Sequence, residues 1–130
     1  MVGNDGLFHI RTDQDVAFFL ERTNSLHDGY IIGVQYEHRG HSKGNSHWID
    51  PKLSELRIQI MITSIDDAVV ELVFHVLSDW QIRDGMSDII DTSVSVGDNE
   101  VIWTDSDTTE PGMCESGSYV VARDMMWRFC

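Results

Sequence analysis

Two cysteines in 130 residues, one of them the last residue, are too few to staple a small secreted fold. Long apolar runs are also missing. No stretch approaches the ~18 residues of a membrane span, and Met1 to Phe8 carries Asp5 without the apolar run of a signal peptide. Cys130 is not a prenylation site, because Trp127 holds the place that the cysteine would need. The expectation is a cytoplasmic protein with reduced thiols. Bases are scarce: 9 Lys and Arg stand against 22 Asp and Glu, for a formal net charge of -13. That imbalance disfavours nucleic acid and anionic membrane surfaces, and it suits cation binding or a basic protein partner. Catalytic signatures are missing too. The chain has no Gly-x-Ser-x-Gly elbow, no phosphate-cradling loop and no dinucleotide fingerprint. The residues therefore point to no catalytic group and no cofactor, and to a non-enzymatic role.

What is present is an ordinary globular composition, 42% hydrophobic and 24% charged. One domain over 1–130 is expected, able to bury about two-thirds of the surface its unfolded chain exposes. Thr12, followed by Asp15 three residues later, forms the pattern of a capping box, and Asp13 and Asp15 suit the positive end of a helix. Val16, Phe19, Leu20 and Thr23 then recur on one face, which predicts a helix from about Asp13 to Thr23. Beyond it the period falls to two. Tyr30, Ile32, Val34 and Tyr36 alternate with Ile31, Gly33, Gln35 and Glu37. Leu56, Ile58, Ile60 and Ile62 form the clearest half-buried strand, and Asp66-Asp67 marks a hairpin into Val70, Leu72, Phe74 and Val76. Ile90, Thr92, Val94 and Val96 predict a further strand ending at Gly97-Asp98-Asn99, and Val101 with Trp103 begins another. The last strand, from Ser118 to about Phe129, places Tyr119, Val121, Arg123, Met125 and Trp127 on one face. Arg39 to Asp50 and Asp105 to Gly117 read as loops.

These patterns predict an α+β fold: an N-terminal helix packed on a curved, mainly antiparallel sheet of about six strands. A β-sandwich or partly closed barrel is the alternative. The other face of the sheet carries Ile31, Val69, Val73, Leu77 and Met126, more apolar surface than one helix can cover. Either the sheet curls on itself or a second copy covers that face, so a homodimer is one of two expectations.

The acid is concentrated. From Asp79 to Glu115 there is a single base, Arg83, and the candidate partner-binding residues are Asp84, Asp88, Asp91, Asp98, Glu100, Asp105, Asp107 and Glu110. Three histidines, His38, His41 and His47, with Asp50 close behind, are the candidate metal ligands; short imidazole spacing suits zinc or nickel, and a metal-dependent hydrolase or metal-binding protein is the alternative function. Asp105-Ser106-Asp107 begins like a calcium loop, but Glu110 stands where the glycine belongs. His27-Asp28 matches the paired ligands of HD-type phosphohydrolases, which are helical and need further ligands. In this chain Asp28 and Gly29 read as the turn into a strand, with His27 hydrogen-bonded at the helix end. Trp48 stands in the polar segment beside His47, either tucked onto the sheet or presented to a partner.

The runs Phe19-Leu20, His27-Asp28-Gly29-Tyr30-Ile31, Glu71-Leu72-Val73-Phe74 and Ala122 to Arg128 resemble a group of small bacterial proteins. In that group a helix leads into a His-Asp-small turn and a strand, and a later strand reads Glu-Leu-x-Phe. The pattern is similar to that of predicted immunity proteins of bacterial toxin systems. The resemblance implies an α+β fold and neutralisation of a basic toxin by binding. It implies no catalytic residues.

Overall fold

The computed structural model describes residues 6–43, 46–83, 88–106 and 117–130, and for 39–53 the backbone alone. Strand β1 (Phe8–Ile10) is followed by helix α1 (Asp13–Arg22), then by β2 (Gly29–Lys43), β3 (Ser46–Ile62), β4 (Ala68–Gln81), β5 (Ser93–Gly97), β6 (Glu100–Thr104) and β7 (Tyr119–Phe129). The strands make one antiparallel sheet in the order β2-β3-β4-β7-β6-β5, with β1 added beside β7. The fold is α+β, with one α-helix among the described residues packed against the sheet.

The helix begins as its sequence dictates. The Asp15 backbone N–H donates to the Thr12 hydroxyl, while the Asp15 carboxylate accepts from the Thr12 and Arg11 N–H groups. Burial alone would raise the Asp15 pKa, but these bonds outweigh it and hold the group low. Phe19 and Thr23 are fully buried, with Val16 and Leu20 packed beside them. At the far end, Phe8 stacks on Trp127 at 4.7 Å, and Phe19 meets the same indole edge-on at 5.4 Å. The short strand β1, which no alternation marks in the sequence, is held there by pairing Phe8 with Trp127 and Ile10 with Met125.

The core lies between α1 and the concave face of the sheet. Leu56, Ile58, Ile60 and Ile62 of β3, and Val70, Leu72 and Phe74 of β4, are wholly buried. Their hairpin turns where expected, with Asp66 and Asp67 in the left-handed region that a short polar side chain tolerates.

Three breaks in alternation decide which side chains reach the core. A bulge between Ile31 and Gly33 shifts the phase of β2, so Ile31 opposes Ile60 and packs on the core while Tyr30 opposes Met61 on the other face. Val34 and Tyr36 do share the core face of Ile58 and Leu56, but at the sheet edge they stay 45% and 47% exposed. In β4, Val76 has φ 59 and the register slips between Leu77 and Asp79, so Phe74 and then Leu77 turn inward. β7 follows it, with Met125 and then Ala122 in the core; Val121 and Arg123 therefore do not share a face with Met125 and Trp127 as strict alternation required. Before β5, Ile89 rather than Ile90 is buried, and Ile90 is 72% exposed.

These shifts take Ile31 and Leu77 off the outer face on which strict alternation had placed them. Ile31 and Leu77, partly buried, pack against the main core, and Val73 and Met126 form a small buried cluster with Leu7. The sheet curls without closing. Its far edge touches the start of β2 at one isolated bridge, where Asp28 N–H donates to Ile89 O and Ile89 N–H donates to Gly29 O. Of the segment expected as a loop from Arg39 to Asp50, residues 39–43 and 46–50 are instead paired strand backbone, with Gly40 opposite Ile49 and Ser42 opposite His47. Its residues are mostly polar, with Trp48 and Ile49 side by side, so no apolar alternation reveals it in the sequence.

Candidate functional site

β7 is the strand on which the surface features converge. Along one side it pairs with β4 from Gln81 to Val70. On its other side β1 takes Met125 to Trp127 and β6 takes Tyr119 to Ala122. Arg123 and Asp124 lie in the gap between those two neighbours. A cleft of about 400 Å³ opens there, floored by Ile10 and Val101 and walled by Arg11, Asp98, Asn99, Glu100, Arg123 and Asp124. That is within the size range of small-molecule pockets, although its lining is more polar than most. The β5–β6 turn brings Asp98 and Glu100 to it, with Asn99 at φ 56 holding the turn. Arg11 reaches His9 Nδ1 at 3.4 Å. Among the described residues no hydrogen bond or ion pair engages the side chains of Arg123, Asp98, Glu100 or Asp124.

Two of the other acidic candidates sit at the bridge. Asp88 is half-buried and Asp91 exposed, beside His27. His27 Nδ1–H donates to the Ile90 carbonyl at 2.7 Å, and Nε2 lies 3.6 Å from Asp28 Oδ1. That carbonyl bond first, then the Asp28 charge with Asp88 and Asp91, raises the His27 pKa above its ordinary value. Asp28 itself takes a left-handed turn at φ 61. His27-Asp28 is thus a structural turn in place.

Asp105 is a correction. Its side chain is 2% exposed and lies 2.9 Å from Arg83 Nε, and its Oδ1 accepts the Ser118 N–H. The Nε–H does not point along a good hydrogen bond, so the contact with Arg83 is one of charge. A carboxylate so enclosed does not serve a partner surface, and the rest of the calcium-loop pattern, from Asp107 on, lies outside the described residues. Asp84, Asp107 and Glu110 lie outside the described residues, as does Cys114. Of the candidate metal ligands, His38 sits in β2 opposite Ser54, and the side chains of His41, His47 and Asp50, with that of Trp48, lie outside the described ones. Among the described residues no three His, Cys, Asp or Glu side chains gather as a metal would require.

The outer face of the sheet holds an ionic network that period-two reading could not see. Glu71 is buried beneath Arg57 Nη1 at 3.0 Å and Arg128 Nε at 3.1 Å, and Gln59 reaches its second oxygen at 3.4 Å. Arg57 also binds Glu55, which His75 meets at 2.8 Å. Arg57 above all, then His75, keeps the Glu55 carboxyl below its ordinary range. Every guanidinium here faces a carboxylate, which makes the patch a strand-to-strand clasp. Arg11, Asn99, Arg123 and Asp124 were not among the sequence candidates. They come from separate parts of the chain, and only the fork in the sheet joins them.

Compared with known protein families, characterised proteins and solved structures, the chain matches none. Among the described residues no helix is long and apolar enough to cross a membrane.

Proposed function

We propose that the chain is a protein-binding module that meets a basic partner through its acidic surface, as an immunity-type inhibitor of a basic toxin would. The observation that carries this reading is the fate of Arg83. It is the one base between Asp79 and Glu115, and it is drawn inward to Asp105 and to the Asp88 carbonyl. The carboxylates of Asp88 and Asp91 around the bridge are therefore left without a neighbouring arginine from their own segment. With a net charge of -13 behind it, such a surface draws a cationic protein at long range and speeds encounter. The alternation of Glu71-Leu72-Val73-Phe74 and the turn at His27-Asp28 supply the likeness to immunity proteins.

The test is inhibition of small basic nucleases by the purified chain, with association rates measured at low and high salt. Expected are tight, salt-sensitive inhibition of at least one nuclease and slower association for Asp88→Lys/Asp91→Lys. No complex with any basic nuclease at low ionic strength would end the proposal.

A further inference from the structure

We propose that the cleft between β1 and β6 binds a small basic zwitterion: a carboxylate and a cationic side chain carried on one short aliphatic frame. A free basic amino acid has this chemistry, and so does the C-terminal residue of a peptide ending in lysine or arginine. The site lies apart from the bridge carboxylates invoked for protein binding and does not depend on that reading.

The argument starts from charge. Asp98, Glu100 and Asp124 set three carboxylates against the guanidinium groups of Arg11 and Arg123, which leaves the cleft one charge negative. A free basic amino acid, with one net positive charge, neutralises it, whereas a C-terminal lysine or arginine, which lacks the α-ammonium, answers both signs without cancelling the excess. A simple anion or a simple metal cation does not match both signs. The two arginines are also unequal. Arg11 is steadied by His9, whereas Arg123 has no ion pair among the described residues. Arg123 is therefore the group placed to take a ligand carboxylate, in the paired geometry that guanidinium favours.

Position supports the same division. Arg123 and Asp124 stand on β7, where no strand among the described residues pairs on one side. Asp98 and Glu100 stand across the cleft on the β5–β6 turn. A ligand spanning the gap puts its carboxylate on the β7 wall and its side-chain cation on the turn. Its methylenes then lie over the buried Ile10 and Val101. The walls are strands already paired elsewhere, so the cleft is formed before the ligand arrives. Exposed charge pairs contribute modestly, and binding in the millimolar range or somewhat tighter is expected.

The test is a heteronuclear NMR titration of the full chain with L-arginine, L-lysine, N-acetyl-L-arginine, L-argininamide and L-glutamate. L-arginine and L-lysine are expected to give saturable shifts confined to the backbone of residues 10–11, 96–101 and 123–124. L-argininamide, lacking the carboxylate, and L-glutamate, of the wrong charge, are expected to give none. Binding of N-acetyl-L-arginine as tight as L-arginine assigns the site to a peptide C-terminus; its failure assigns it to the free amino acid. Arg123→Ala and Glu100→Gln change exposed side chains and should each weaken L-arginine by about fivefold or more. No saturable shift with L-arginine or L-lysine would overturn the proposal. So would equal binding of L-argininamide, or unchanged affinity in both variants.

Discussion

Replacing Gly29 with alanine tests how the sheet is held in its curl. Gly29 opens β2 with an ordinary φ, so the cost of a side chain there is one of space. An added Cβ would lie 2.7 Å from the Leu26 carbonyl oxygen and 2.8 Å from Ile60 Cγ2. Carbon contacts are comfortable near ~3.5–4.0 Å. The methyl is therefore roughly half an ångström too close to the backbone oxygen and nearly an ångström too close to a fully buried isoleucine. Overpacking of this kind costs about 1–3 kcal/mol. In a chain of this length each kcal/mol lowers the melting temperature by roughly 3–5 °C. The strain falls on the isolated bridge, because Gly29 O accepts from Ile89 N–H and the Ile89 side chain lies just beyond the new methyl. Melting of Gly29→Ala should fall by several degrees, and the Ile89 amide should exchange with solvent faster relative to Leu72. Gly33→Ala is the control, since its Cβ meets only the flexible end of Gln59 at 3.0 Å. If Gly29→Ala melts with the wild type, or loses protection evenly, the wedge account is wrong.

Asp105→Asn should destabilise by about 3 kcal/mol or more in urea unfolding, because it strands the Arg83 charge in a buried pair, and Arg83→Met/Asp105→Asn should recover most of that loss, since an amide oxygen at 105 can still accept the Ser118 N–H. Val76→Gly should leave stability unchanged or raise it, since a β-branched residue at φ 59 is strained by about 1–2 kcal/mol; a clear loss would show that the strain is absent. Two titrations act in opposite directions. The Glu55 pKa is lowered in the fold, so its contribution is present above the ordinary 4.5 and is lost as pH falls through the folded value. The His27 pKa is raised, so its contribution is complete below the ordinary 6.5 and is lost as pH rises through the folded value. Urea unfolding across pH should show Glu55→Gln flattening the acid limb and His27→Gln flattening the alkaline limb; slopes identical to wild type would refute the pairings.

Local chemistry was legible in the chain, and its reach is instructive. The capping box at Thr12, the face of Phe19 and Thr23, the turn at Asp66-Asp67 and the inward set from Leu56 to Phe74 were readable because each depends on neighbours a few residues away. The acid between Asp79 and Glu115 was equally plain, but not its use: Asp105 turns inward while Asp91 stays outside. The outward-reading Glu71 is buried because Arg57 and Arg128 reach it from strands on either side. Such reach across the sheet leaves no trace in spacing along the chain.

The sequence by itself determined an acidic, single-helix, strand-rich α+β chain with few cysteines, since composition and period are properties of short windows. Tertiary structure alone decided which residues change face, because a bulge at Ile31–Gly33 and a left-handed Val76 each shift the phase of their strand by one residue. It also decided the seating of Ile89 on Gly29 and the fork that leaves Arg123 and Asp124 unflanked. Those features arise where strands distant in sequence meet, and pairing between distant strands is settled by the packing of the whole sheet.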